Sequence, residues 1–326
     1  MRALVTGAGG FVGSHLLDAL IARGCDVIGT SWRPMTGGVT AHLTSDRLAF
    51  GDITDGAFLR EVLQSHRFDV VFHLAGRDAS FGNPELYGSN VVGTAALLDA
   101  VGDLGQKNLK VVLLGSSAQY GALSDDPVRE ESPFRPISNY GISKMACEAM
   151  GRLMFEQTGQ AVMCARGFNV IGPGQKAKLL QGTIIEQIVA IEAGKRPAVI
   201  ELGDLSAYRD FIDVRDVAAG LIAVASHGEA GEAYNLCSGH ATQVSEFVSR
   251  LVRLARTGIA VHSHRRDGIA NLPYQVGSND KLRAKANWVP EIMLEKSLSD
   301  ALDEGRRGAA PLGAMAAEVA NVAGER

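Results

Sequence analysis

Apolar residues recur along the first half of the chain in two alternating periods. "RALVTG" (2–7), "CDVIGTS" (25–31), "LAFGDITD" (48–55), "DVVFHLAG" (69–76) and "KVVLLGSS" (110–117) are short apolar runs that predict strands. Between them, "GFVGSHLLDALIARG" (10–24), "AFLREVLQSH" (57–66) and "NVVGTAALLDAVGDLG" (90–105) space their apolar residues as helices do. In the first of these Phe11, Leu16, Leu20 and Ile21 make one stripe, and Gly24 supplies a stop. Near-continuous Val, Ile and Leu runs imply strands covered on both faces, as a parallel sheet requires. Strand and helix in regular alternation predict an α/β fold of Rossmann type, a doubly wound parallel sheet.

Beyond residue 160 the pattern changes. "AVMCARGFNV" (161–170) reads as a strand and "GTIIEQIVAIEAG" (182–194) as a helix, but loops such as "LGDLSAYRD" and "HSHRRDGIANLPYQ" become long and polar. This predicts a sheet-bearing domain over residues 1–168, to which later segments return, and a smaller C-terminal substrate-binding lobe over 169–310. The Ala- and Gly-rich residues 311–326 are expected to be a frayed or disordered tail.

Composition narrows the partners. Of 326 residues, 46% are hydrophobic and 21% charged, with a formal net charge of −4, which fits a globular protein and points to neither nucleic acid nor an acidic membrane surface. No run approaches the roughly 18 apolar residues needed to span a bilayer. Cys25, Cys147, Cys164 and Cys237 are scattered without metal or redox spacing, so a reduced, cytoplasmic protein is expected. A cleavable leader would remove the glycine-rich stretch that starts at Val5. His262 and His264 lie two apart with no partner at ligand spacing, and no metal site is expected.

That stretch, "VTGAGGFVGSHL" (5–16), spaces Gly7, Gly10 and Gly13 by three between a strand and a helix. In a dinucleotide-binding turn the first glycine permits the tight turn, the second lets a pyrophosphate approach the backbone, and the third allows close helix packing. The helix start at Phe11 and Val12 then offers free N–H groups and a positive dipole end to the phosphates. NAD binders place an acid at the end of the second strand, whereas NADP binders place an arginine nearby. Here Thr30 stands where the acid would be and Arg33 follows, so NADP(H) is the expected cofactor, with NAD as the alternative.

Further on, "NYGISK" (139–144) sets Tyr140 and Lys144 four residues apart, on one face if this opens a helix. A lysine ammonium close to a phenol favours the phenolate, and such a phenol can pass the proton that accompanies hydride transfer at a carbonyl carbon. "LLGSSAQYG" (113–121) brings the hydroxyls of Ser116 and Ser117 to the carboxyl end of a buried strand, where open α/β sheets bind ligands. His73, in "VFHLAG", reads as a hydrogen-bonded structural residue.

Glycine turn, strand-end serine and Tyr–Lys pair in this order resemble the extended short-chain dehydrogenase/reductases that act on nucleotide-sugars. The likeness runs through "TGAGGFVGSHL", "GDITD", "FHLAG", "GSSAQYG", "YGISK", "RGFNVIGPGQ" and "YRDFIDVRDVA", and continues in "EAYNLCSG", "VGSNDKLR" and "LEKSL". Within the family it is nearest to the branch that reduces GDP-4-dehydro-6-deoxy-mannose. The resemblance implies that Tyr140 is the acid/base, Lys144 its partner and Ser116, four residues before Tyr120, the hydroxyl on the substrate oxygen. It places Asp52 and Ile53 at the adenine and Leu74, Ala75 and Gly76 along the cofactor. Ser117, Asn169 and Arg209 become candidates for the substrate, the last two for its diphosphate. Related 4,6-dehydratases carry an acid pair where this chain has Ser117 and Ala118, and Gln119 beside them cannot serve as a base.

The implied activity is NADPH-dependent reduction of the C4 keto group of a nucleotide-diphosphate 4-keto-6-deoxy-hexose, GDP-linked, by a homodimer paired through helices such as 90–105 and 139–158. A 4-epimerase with tightly held NAD would use the same residues. A 4,6-dehydratase would need the missing acids, and a non-enzymatic NADP sensor would have no use for the Tyr–Lys pair.

Overall fold

The computed structural model describes residues 1–32, 47–121, 127–175, 178–264 and 272–309. Seven strands form one parallel sheet. Six are β1 (Arg2–Thr6), β2 (Asp26–Ser31), β3 (Leu48–Phe50), β4 (Val70–His73), β5 (Lys110–Ser116) and β6 (Val162–Gly167). The seventh, Ala233–Leu236, lies outside β6, and the sheet then runs β6, β5, β4, β1, β2, β3. The order reverses between β1 and β4, which opens a crevice beyond their carboxyl ends.

Side chains alternate across the sheet, and each face has its own helices. Ala3, Val5, Val70, Phe72 and Val112 pack on one face against α1 (Phe11–Ala22) and, from later in the chain, Val217, Leu221 and Trp288. Leu4, Val71, Val111 and Leu113 pack on the other against α2 (Gly56–Ser65), with Leu97 and Val101 completing the layer. Each such side chain, fully buried, stabilises the fold by about 1.5–3 kcal/mol. Asp55 begins α2 by accepting from the N–H groups of Ala57 and Phe58.

After β4 the chain forms a short helix, α3 (Asn83–Tyr87), a π turn over Gly88–Val92, and then α4 (Gly93–Leu104). The helical pattern read over 90–105 therefore begins with a wider turn, and this turn carries the buried Asn90. α5 (Asn139–Thr158) starts at Ser138, whose hydroxyl accepts from the Gly141 N–H. The run read as one strand over 161–170 is broken after Gly167; Asn169–Ile171 leaves the sheet and pairs with Phe211–Asp213. The third strand ends at Phe50, so "GDITD" is a loop rather than strand.

A separate apolar cluster gathers α6 (Leu180–Glu192) with Phe211, Phe247, Leu251, Leu298 and Leu302. The helix Val214–His227 and the seventh strand turn back to the sheet. The tail read over 311–326 lies outside the described residues. No described helix is long and apolar enough to cross a membrane.

One buried ion pair ties α5 to β6. The Arg166 guanidinium makes a bidentate pair with Glu148 and also donates to the Tyr120 hydroxyl (2.6 Å) and the Glu130 carbonyl (2.8 Å). Arginine beside it holds the Glu148 carboxyl below the usual carboxylate range against its burial. Arg166→Met would leave that carboxylate buried without its partner. A loss of about 3–5 kcal/mol is expected, read by urea unfolding of the variant against the parent.

Candidate active site

The glycine turn closes on itself. Gly7 has φ +70°, in the left-handed region, and a Cβ there would lie 2.7 Å from the Ala75 nitrogen. A Cβ on Gly13 would lie 2.2 Å from the Gly7 carbonyl oxygen, so α1 sits directly against the turn. Gly10 is the N-cap of α1 and no side chain caps its first turn. The N–H groups of Phe11 and Val12 thus have no side-chain acceptor at the cap, and the crevice edge is built to take an anion.

Around the turn the neighbouring strands supply the remaining walls. The Leu74 N–H donates to the Thr6 carbonyl (3.2 Å) and the Ala75 N–H to the Thr6 hydroxyl (3.2 Å), which carries "LAG" past Gly7. Thr30 is buried at the end of β2, and its carbonyl accepts from the Ala8 N–H (3.0 Å). Asp52 is exposed, accepting from the N–H and hydroxyl of Thr54, while Ile53 packs half-buried against Gly93. Arg33 lies outside the described residues.

β5 and α5 converge beside this cleft. Ser116 ends β5 as the cap of a 3-10 turn: its hydroxyl accepts from the Ala118 N–H (3.2 Å), and its own N–H donates to the Gln119 carboxamide (2.8 Å). A Cβ on Gly141 would lie 2.4 Å from the Ala118 carbonyl oxygen, so the first turn of α5 presses on this turn. Tyr140 stands in that first turn, and its hydroxyl makes no hydrogen bond among the described residues. Lys144, one turn on, is buried with its ammonium 6.0 Å from the Tyr140 ring centre. That ammonium donates to the Leu114 carbonyl (2.8 Å), two residues before Ser116.

The two serines have different surroundings. The Ser117 hydroxyl donates to Gln275 (3.2 Å), whose amide returns a bond to the Ser117 carbonyl (3.0 Å). The Ser116 hydroxyl retains its own proton for a further partner.

Asn169 and Arg209 sit on adjoining segments, Asn169 being paired with Phe211 two residues beyond Arg209. The Asn169 carboxamide donates to the Asp210 carbonyl (2.9 Å). Arg209 does not pair with its neighbour Asp210; its guanidinium donates to the Tyr208 carbonyl (2.8 Å), and burial holds its pKa below the ordinary arginine value. Asp210 instead accepts from Ser238, Gly239 and Gly277, while burial pushes its carboxyl up. No described carboxylate pairs with the Arg209 guanidinium.

Several organising residues went unrecognised in the sequence. Asn90 bonds both the N–H and the carbonyl of Arg77 and reaches the Ser143 hydroxyl (2.9 Å), joining "LAG" to α5. Gln119 links Ser116 to Glu148 (2.8 Å), and Gln275 holds Ser117. None belongs to an apolar period, so only a motif at the level of the turn could have signalled them.

His73 is buried between Thr6 (2.8 Å to Nδ1) and Thr94 (3.1 Å to Nε2). Burial, with Lys144 nearby, pushes its pKa down to about 3, so the ring is neutral. The unfolded chain then binds more protons than the native one between that value and the ordinary histidine pKa. Stability is therefore expected to fall as pH drops from about 6.5 toward 3, by at most about 1.4 kcal/mol per pH unit from this group. Urea unfolding between pH 4.5 and 7 checks this, and the slope should flatten in His73→Gln.

A family model described as GDP-mannose 4,6 dehydratase matches residues 4–301. A GDP-6-deoxy-D-mannose reductase from Pseudomonas aeruginosa is 32% identical over 310 residues, covering 93% of this chain and 96% of its own. A UDP-glucose 4-epimerase from Azospirillum brasilense is 32% identical over 309 residues, covering 89% of this chain and 87% of its own. The structure of RMD from Pseudomonas aeruginosa complexed with NADPH superposes with a TM-score of 0.82 at 29% identity, over 95% of this chain and 100% of that one.

Proposed function

The chain belongs to the GDP-mannose 4,6 dehydratase family of nucleotide-sugar enzymes, and we propose that it reduces the C4 keto group of a GDP-linked 4-keto-6-deoxy-hexose with NADPH. The observation that carries the reading is the turn at residues 116–119. Its middle is Ala118, Ser117 is engaged by Gln275, and the carboxylate bonded to Gln119 is Glu148, which Arg166 holds. No base stands there to take a proton beside the keto group, as elimination of water would need, whereas Ser116, Tyr140 and Lys144 are assembled.

The residues fit a dinucleotide: Gly7, Gly10 and Gly13 let the turn pack against its own backbone and Ala75 where a Cβ would clash, and the first turn of α1 lacks a side-chain cap. Phe11 and Val12 present their N–H groups to its phosphates, Leu74, Ala75 and Gly76 line its path, and Thr30, Asp52 and Ile53 border its adenosine. NADPH, when bound, supplies the hydride for C4. Ser116 donates to the C4 oxygen, and Tyr140 gives that oxygen its proton as negative charge develops. Lys144, anchored on the Leu114 carbonyl, places its charge beside the phenolate left behind. Arg209 and Asn169 hold the diphosphate of the substrate. Ile142 and Leu153 on α5 and Val92 ahead of α4 are exposed apolar residues that favour pairing of two chains through these helices.

The epimerase relatives favour a second reading, in which the same residues would return the hydride to the opposite face of C4. Stoichiometric NADPH oxidation with GDP-4-keto-6-deoxy-mannose is expected; interconversion of sugars without net oxidation would establish the epimerase instead. Tyr140→Phe should lower kcat about 10²–10⁴-fold and leave NADPH affinity within a few-fold, as steady-state kinetics and calorimetry would read. An unchanged kcat would exclude the phenol as the proton donor.

A further inference from the structure

Two cations close on one ring at the mouth of the cleft. The Arg77 guanidinium carbon lies 4.5 Å from the centre of the Phe81 ring and 4.8 Å from that of Trp32. The Lys178 ammonium lies 5.2 Å from the Phe81 centre. Neither cation has a carboxylate partner among the described residues. Trp32 is 54% exposed, so this is not a buried packing cluster.

Topology says where the guanidinium stands. Trp32 follows β2 directly, and Arg77 lies four residues beyond the end of β4. β1 separates these two strands in the sheet, with β2 on one side and β4 on the other. A side chain that leaves the β4 loop and touches Trp32 must cross the carboxyl end of β1, where the glycine turn presents its N–H groups. The Arg77 backbone is itself fixed there by the Asn90 carboxamide through its N–H (2.7 Å) and carbonyl (3.1 Å). Lys178 approaches from the other wall, two residues before α6.

We propose that Arg77 and Lys178 form a phosphate-binding clasp over the crevice, Arg77 serving the dinucleotide and Lys178 the second nucleotide. Like charges beside one ring repel, and a cation held only by the half-buried Phe81 ring and the exposed Trp32 ring is bound weakly. Charge-assisted hydrogen bonds to phosphate are stronger and, for a guanidinium, bidentate. Phosphate between the two cations relieves the repulsion and draws the guanidinium and the ammonium off Phe81 by movement of the two side chains. The clasp rests on the reading of this crevice as a nucleotide site.

Calorimetric titration of NADPH, NADH and GDP into the parent, Arg77→Ala, Arg77→Lys and Lys178→Ala proteins tests it. Arg77→Ala should weaken NADPH about tenfold or more and leave GDP within about twofold. Arg77→Lys should recover only part of that loss, because it restores the charge without the bidentate contact, and this partial recovery separates lost charge from lost folding. Lys178→Ala, saturated with NADPH, should weaken GDP about fivefold. A loss confined to NADPH supports the clasp with the 2′-phosphate as Arg77's partner, and an equal loss for NADPH and NADH supports it with the pyrophosphate. NADPH affinity unchanged in Arg77→Ala, or GDP affinity unchanged in Lys178→Ala, overturns the clasp while leaving the functional reading intact. A parent protein that binds neither NADPH nor NADH overturns that reading, and the clasp with it.

Discussion

The carbonyl oxygen of Gly7 occupies the space where a side chain at position 13 would begin, and a Cβ on Gly7 itself would lie 2.7 Å from the Ala75 nitrogen. With α1 pressed on one side of the turn and the exit of β4 on the other, the floor of the crevice has little room to move. The contact propagates. Gly76, next along, faces Asn90, which ties Arg77 to Ser143 on α5, and the following residue of that helix is Lys144. On its far side α5 abuts the Ala118 carbonyl through Gly141. Close approaches at glycines, together with the Asn90 side chain, thus link the glycine turn to the Tyr–Lys pair and then to the strand-end serine.

Charge follows the same geometry. The chain carries a net −4 overall, yet the cations assigned to the crevice in the proposed function and clasp, Lys144, Arg209, Arg77 and Lys178, have no carboxylate partner among the described residues. Acids near the crevice are satisfied by other donors: Asp210 by Ser238, Gly239 and Gly277, Glu148 by Arg166. His73, buried near Lys144, adds no second charge because burial keeps it neutral. Cations without carboxylate partners in a chain of net charge −4 are what the proposed site for two diphosphates calls for.

The sheet was legible because its signal is additive. β1, β2, β4 and β5 each repeat apolar residues over several positions, and α1, α2 and α5 fall within a residue or two of their expected ends. Gly7, Ser116, Tyr140 and Lys144 were legible because strand ends and helix starts put them at one sheet edge. What stayed hidden depends on single side chains meeting across long sequence separations. The π turn at Gly88–Val92 breaks no hydrophobic period, yet it is what turns Asn90 inward. Asp210 adjoins Arg209 in the sequence, and only the fold shows its carboxylate turned toward residues 238, 239 and 277.

The turn at residues 115–119 depends on the glycine that opens it. A Cβ at Gly115 would lie 2.8 Å from the Gln119 carboxamide oxygen and 2.7 Å from the Cys164 sulfur. A glycine there makes room for Gln119 to fold back onto the Ser116 N–H, and the other end of the amide then reaches Glu148. Gln119 is fully buried, so both of its polar ends need partners in the protein, and both have them. Ser116 is consequently fixed through its backbone to the Arg166–Glu148 pair in the interior. The carboxylate bonded to this turn, Glu148, is committed to structure, and the proposed mechanism accordingly moves its proton through the hydroxyls of Ser116 and Tyr140.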